Sequence, residues 1–150
     1  MKLLLVCGIG LLIFQISSCI NPPQYDVVPH IELISVSPLL LHQQTDSLII
    51  KFSFTDGDGD LGLQTSETGH DVCLYDTRLA NNFCYEYRIP YIEPRGTVKA
   101  ISGNVSIVVP SITCLPGRIN DTLQYNIEIT DRAGHVSNMI TTPKIFLNCQ

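Results

Sequence analysis

The fold class is decided by an alternating stretch, Leu48-Ile49-Ile50-Lys51-Phe52-Ser53-Phe54-Thr55. Its even-numbered residues are all large and apolar, whereas the odd-numbered ones include Lys51, Ser53 and Thr55. A period of two is the signature of a β-strand that buries one face. The stretch therefore predicts a strand whose even-numbered side chains point into a core.

The same alternation recurs along the chain. It is clear in Leu123–Thr130 and Val105–Val109, and shorter in Ile31–Val36, Val72–Asp76, Phe83–Ile89 and Met139–Leu147. Turn residues such as Ser37-Pro38, Pro116-Gly117 and Ala133-Gly134 separate these runs, and no window carries a helical stripe. We therefore predict an all-β fold, an antiparallel immunoglobulin-like β-sandwich of about seven strands. The chain has no tryptophan, so the prediction concerns the architecture alone.

The N-terminus has the pattern of an export signal. A short basic start, Met1-Lys2, is followed by the mostly apolar run Leu3–Ile16, which is shorter than the roughly 20 residues of a membrane-spanning helix. The run ends in Ile16-Ser17-Ser18-Cys19, which resembles the lipobox of bacterial lipoproteins. Residues 1–18 are thus predicted to be a lipoprotein signal peptide and Cys19 the lipidated residue. The alternatives are an ordinary secretory signal with an incidental cysteine and an uncleaved anchor.

The remaining chain divides into a tether and one domain. Residues 19–29 contain three prolines and no apolar periodicity, which predicts an extended tether after the lipidated cysteine. Residues 30–150 form the predicted sandwich, long enough for one core and too short for two. Because Ile20 follows Cys19, no inner-membrane retention signal is evident, so the outer membrane is the expected location, on its periplasmic or its surface face.

Charge narrows the class of partner. Removing residues 1–18 takes away one lysine and no acid, which leaves 8 basic and 14 acidic residues and a net charge near −6. Nucleic acids and anionic membrane surfaces attract proteins through positive charge. We therefore expect no nucleic-acid partner, and membrane attachment through the lipid alone.

Four cysteines remain after the signal and Cys19, which in an exported chain predicts two disulfides. If a hairpin turns at Arg78-Leu79, Cys73 lies directly opposite Cys84, close to disulfide range. The remaining pair, Cys114–Cys149, follows by elimination and would pin the end of the chain. A zinc site is the alternative, although no C-x-x-C spacing is present.

An acidic loop is the strongest candidate for a ligand-binding site in the sequence. Asp56, Asp58 and Asp60 alternate with glycines directly after the strongest strand, and Glu67 falls at the twelfth position counted from Asp56. Carboxylates spaced in this way converge on a hard cation such as calcium, but Leu61 stands where an EF-hand needs glycine. The loop therefore predicts a strand-flanked calcium site. A solvated Asp-Gly turn is the alternative.

Topology adds one further residue to this candidate site. In an immunoglobulin-like sandwich, the loops after the second and sixth strands lie at the same pole. Asp131, which follows the sixth predicted strand, would then complete the cation site, making Asp56, Asp58, Asp60, Glu67 and Asp131 the predicted ligands. Arg132 would equally be placed to pair with the aspartates and replace the cation.

Several blocks of the sequence resemble a family of uncharacterised lipoproteins of the Bacteroidota. They are Phe52–Gly62, which reads FSFTDGDGDLG, Ile89–Gly96, Ala100–Gly103 and Thr130–Asn138. Members of the family more often have Asn where this chain has His135. The resemblance implies an exported, lipid-anchored, immunoglobulin-like domain and carries no settled activity.

No catalytic signature stands out: the chain lacks a G-x-S-x-G elbow and a glycine-rich phosphate loop. We therefore expect a non-catalytic binding or adhesion module that contacts an envelope protein or an extracellular polymer. Tyr85, Tyr87 and Tyr91 are the candidate contact face. The alternative is a structural accessory subunit of an outer-membrane complex with no ligand of its own, and a hydrolase is disfavoured.

Overall fold

The computed structural model describes residues 24–81, 83–93 and 99–150. The predicted signal peptide and Cys19 lie outside the described residues. No helix long and apolar enough to cross a membrane occurs in the ranges that the structure describes.

The described residues form ten strand segments and no helix. In chain order they are β1 His30–Ser37, β2 Leu40–His42, β3 Leu48–Asp56, β4 Val72–Asp76, β5 Cys84–Tyr87, β6 Ile101–Val109, β7 Asn120–Leu123, β8 Tyr125–Ile129, β9 Ile140–Thr141 and β10 Ile145–Asn148.

These segments assemble as an all-β sandwich, which confirms the predicted fold class. One sheet has the order β1-β3-β6, the facing sheet has the order β5-β4-β8-β9, and a third group has the order β2-β10-β7. Because only Gln124 separates β7 from β8, and β10 and β9 pair with them in turn, these four segments form two long interrupted strands. Joining β1 to β2 in the same way gives seven strands. The short β2–β10 pair is parallel, a local exception to the antiparallel arrangement.

The alternation of buried and exposed residues along the strands explains where the core lies. The even-numbered residues of β3 are buried as the sequence predicts, and the odd-numbered residues of β8 (Tyr125, Ile127 and Ile129) are buried from the other sheet. Burying each large apolar side chain stabilises the fold by roughly 1.5–3 kcal/mol.

The last predicted strand is interrupted between β9 and β10. Pro143 stands in the gap, and proline has no N–H for a strand ladder. Thr142 is buried there, and its hydroxyl accepts the Tyr125 N–H at 2.9 Å, so a side chain replaces part of the lost backbone pairing.

Both predicted disulfides are present, Cys73–Cys84 and Cys114–Cys149. The register predicted for the first pair is wrong by two residues, because Tyr75, and not Cys73, lies directly opposite Cys84. The bridge is therefore diagonal across β4 and β5. The Arg78 guanidinium bonds to Asp76 and to Asp121, which is 43 residues away in the chain. Arg78 therefore belongs to this buried contact, and the hairpin does not turn at Arg78-Leu79.

Candidate metal centre

The acidic loop begins where β3 ends. Because the even-numbered residues of β3 face the core, Asp56 is the next inward position and is fully buried. Its Oδ2 accepts the Leu61 N–H at 3.1 Å, and the Leu61 side chain is itself fully buried, which folds the loop back on the strand end. The loop closes at Gly62, where φ is +88° and a Cβ would lie 2.6 Å from the Pro90 carbonyl oxygen, so only glycine fits.

The facing loop follows β8 by the same logic. Asp131 continues the odd-numbered inward positions of β8, and its side chain has no exposed area. Its Oδ1 accepts the His135 N–H at 2.8 Å, and its Oδ2 lies 2.8 Å from His135 Nδ1. The carboxylate is thus fixed in place by the turn that it closes.

Two hydrogen bonds from Arg132 join the two loops. The Arg132 N–H donates to the Asp60 carbonyl at 3.3 Å, and Arg132 Nη1 donates to the Gly62 carbonyl at 3.1 Å. We call this end of the sandwich, residues 56–62 with residues 131–135, the acidic pole.

Four carboxylates converge at the acidic pole. Asp56, Asp58, Asp60 and Asp131 each offer one oxygen, and these four oxygens all lie within 4.8 Å of one another. Ligands on opposite sides of a calcium ion lie roughly 4.6–5.2 Å apart. Four carboxylate oxygens at these separations are therefore a donor set suited to a hard divalent cation.

Three oxygens in the cluster have no partner. The Oδ1 atoms of Asp56, Asp58 and Asp60 are each buried and make no hydrogen bond to the described residues. Buried polar atoms are nearly always hydrogen-bonded, and a buried unpaired charge is costly. Since Asp56 is entirely buried, its unpartnered oxygen is the strongest single indication of a ligand at this site.

The electrostatics of the cluster indicate uncompensated negative charge. Burial first, and then the neighbouring Asp58 carboxylate, raise the pKa of Asp56 to about 6. Burial, followed by the charges of Asp131 and Asp58, raises the pKa of Asp60 as well. The hydrogen bond to Asp131 raises the pKa of the exposed His135 imidazole. A divalent cation among the carboxylates would oppose the first two effects.

Two alternatives drawn from the sequence do not fit this geometry. A solvated turn would expose its carboxylates, but one oxygen of each of Asp56, Asp58 and Asp60 is buried. Arg132 forms no ion pair with an aspartate within the described ranges: its guanidinium bonds to Gly62 and lies 4.7 Å over the Tyr91 ring.

Glu67, predicted as a fifth ligand, is not part of the cluster. Its Oε2 accepts the Gln64 N–H at 2.5 Å, so the side chain caps a local turn three residues back. The prediction rested on EF-hand spacing, and this loop does not follow the EF-hand path.

The three tyrosines predicted as one contact face are divided between two places. Tyr85 and Tyr87 lie opposite the fully buried Leu74 and Val72, so they occupy the inward side of the edge strand β5. There they line a cleft with residues 108–110, at the end of β6 and just after it, and Phe83 packs edge-on against Tyr85 with ring centroids 5.1 Å apart. Tyr91 lies instead at the acidic pole beneath Arg132.

The zinc alternative for the cysteines is excluded, because all four sulfur atoms are joined in disulfides. His70, Cys73 and Cys84 lie close enough to hold a metal, but both sulfur atoms are joined in the disulfide.

A buried ionic cluster was missed by the sequence analysis. Arg78, whose side chain is 10% exposed, donates to Asp76 at 2.6 Å and to Asp121 at 2.7 Å. Asp71 was missed too: it is buried and accepts the Ile89 N–H at 2.7 Å. The only indication in the sequence was that Asp76 continues the alternation of Val72 and Leu74 and so falls on the buried face of β4.

Compared with protein-family models and with curated proteins, the chain matches none.

Proposed function

We propose that this protein is a calcium-stabilised, non-catalytic module of the bacterial cell envelope, held to a membrane by lipid on Cys19. The observation that carries the calcium role is the fully buried Asp56, whose unpartnered oxygen lies among three further carboxylates. An all-oxygen, carboxylate-rich donor set favours calcium over zinc or copper.

The cation has a structural role in this proposal. Three of its ligands come from the loop after β3 and one from the loop after β8, and these two strands belong to different sheets of the sandwich. An ion held by both loops therefore cross-links the two sheets at the acidic pole. Its buried ligands favour stabilisation over catalysis, because a catalytic metal keeps a position open for substrate.

Thermal unfolding of the purified full chain tests the calcium role. At a calcium concentration ten times the Kd, binding to the folded state adds about 1.4 kcal/mol to the free energy of unfolding. We expect the melting temperature to rise with calcium and to fall with chelator in the wild type. Asp58→Asn removes one carboxylate charge from the cluster and should show a smaller calcium response. Glu67→Gln removes an equal charge outside the cluster and should keep the full response. An equal melting temperature in calcium and chelator would refute the calcium role.

The lipid anchor is supported by the Ile16-Ser17-Ser18-Cys19 block after an apolar run. Each buried CH₂ of an acyl chain contributes about 0.8 kcal/mol, so two or three chains give stable attachment. We expect the wild type to fractionate with membranes of the producing cell and Cys19→Ala to move to the soluble fraction. Unchanged membrane fractionation of Cys19→Ala would contradict lipidation.

The binding role is proposed for the cleft beside β5. Its support is exposed aromatic surface, since Phe83 is 53% and Tyr85 38% exposed, and aromatic side chains dominate interface energetics. The partner is an envelope protein or an extracellular polymer. A glycan pull-down and a membrane co-purification, each with the wild type and with Phe83→Ala, distinguish the two. Loss of capture in the variant supports the cleft, and equal capture refutes it.

A further inference from the structure

The N-terminal segment lies directly on the acidic loop. We call Tyr25–Val28 the strap; it ends at the buried Pro29, immediately before β1. The Gly57 N–H donates to the Asp26 carbonyl at 2.8 Å, and Asp26 Oδ1 accepts the Val28 N–H at 3.1 Å. The strap is thus held by a residue that stands between two of the cluster carboxylates, Asp56 and Asp58.

The approach of strap and loop is closer than any side chain would permit. A Cβ on Gly57 would lie 2.4 Å from the Tyr25 carbonyl oxygen and 2.7 Å from that of Asp26. Both contacts are with backbone, which cannot swing aside as a flexible side chain would. Docking of the strap therefore depends on the position of residue 57, which is bonded in the chain to Asp56 and Asp58 and moves with them.

The segment beyond the strap is held independently of the loop. Asn138 accepts the Ile31 N–H at 2.8 Å and donates to the Ile31 carbonyl at 2.9 Å, and β1 pairs with β3 along its length. A movement of the acidic loop therefore reaches the chain before His30 and leaves β1 in place. Pro29 marks the boundary between the two parts.

We propose that the cation bound at the acidic pole also locks the strap onto the sandwich, so that its loss frees the segment leading to the anchor. This inference rests on the proposed calcium site. Without the ion, the carboxylates of Asp56, Asp58, Asp60 and Asp131 repel one another, and the loop that carries Gly57 moves to separate them. The Gly57–Asp26 hydrogen bond is then lost.

Hydrogen–deuterium exchange of the full chain in detergent tests this proposal, with calcium or chelator present. The amide of Gly57 reports the docking of the strap directly, because it is bonded to the Asp26 carbonyl. We expect the Gly57 amide to exchange at least tenfold more slowly with calcium, while the Ile31 amide changes little. Cleavage by chymotrypsin after Tyr25 should likewise be slower with calcium.

Two variants separate the strap from the ion. Gly57→Ala keeps all four carboxylates but drives the strap off, so we expect calcium binding with fast strap exchange in both conditions. Asp58→Asn should shift the calcium dependence to higher calcium concentrations, and Glu67→Gln should behave as the wild type. Calcium binding to the wild type without any change in strap exchange would overturn this proposal and leave the calcium site intact. An absence of calcium binding would overturn both.

Discussion

In calcium-free solution, Asp56 should make the stability of this fold fall as the pH rises. The pKa of the Asp56 carboxyl is raised from 3.8 to about 6, first by burial and then by the Asp58 carboxylate. Between these two values the folded state holds a proton that the unfolded state has released. The free energy of unfolding therefore decreases with rising pH across that window.

The size of this effect follows from the shift. About two pKa units at 1.36 kcal/mol each give about 3 kcal/mol, lost between pH 4 and pH 6.5. Other carboxyl groups titrate in the same range, and Asp56→Asn isolates the contribution of Asp56, because its carboxamide carries no titrating proton and still accepts the Leu61 N–H. The quantity of interest is the difference between the two proteins.

Urea unfolding at several pH values, in buffer stripped of divalent cations, measures that difference. We expect the wild type to lose stability relative to Asp56→Asn as the pH rises from 4 to 6.5. Saturating calcium should reverse the trend, since the ion binds the ionised carboxylates. A difference that stays flat across this range in calcium-free buffer would refute the electrostatic description of the cluster.

Two further predictions concern the rest of the sandwich. Arg78→Met should destabilise the fold by about 3–5 kcal/mol in urea unfolding, because it leaves two buried aspartates without a counter-charge; a loss under 1 kcal/mol would contradict the ionic cluster. Replacing Cys114 and Cys149 together by serine should cost about 4 kcal/mol and replacing Cys73 and Cys84 about 3 kcal/mol, because the first bridge spans 35 residues and the second 11. The reverse order would show that chain entropy does not govern these bridges.

The alternation of apolar and polar residues made much of the fold predictable, together with most of the aspartate cluster. The alternation in β3 buries Leu48, Ile50, Phe52 and Phe54, and the same count carries Asp56 inward. The rule that two loops share a pole then placed Asp131 beside the acidic loop, where the structure has it.

What could not be predicted depends on contacts between residues far apart in the chain. The turn between β4 and β5 contains Arg78, which forms an ion pair with Asp121, 43 residues away. A local sequence pattern does not reveal such a distant pair, so the β4–β5 register was not predictable. Tyr91 was grouped with Tyr85 by residue type, whereas the bridge between Leu63 and Pro90 takes it to the acidic pole. The contact between the strap and the loop was equally unpredictable. In the sequence Gly57 looks like an ordinary turn glycine, and only the structure shows the Tyr25 carbonyl packed against it.

Equilibrium dialysis with radioactive calcium tests the central claim most directly. The purified full chain should bind one ion with high occupancy at millimolar calcium, and Glu67→Gln should do the same. Asp58→Asn should bind much less under the same conditions, because it removes one of the four carboxylate charges. Failure of the wild type to retain calcium, or equal retention by Asp58→Asn, would contradict a calcium centre built from Asp56, Asp58, Asp60 and Asp131.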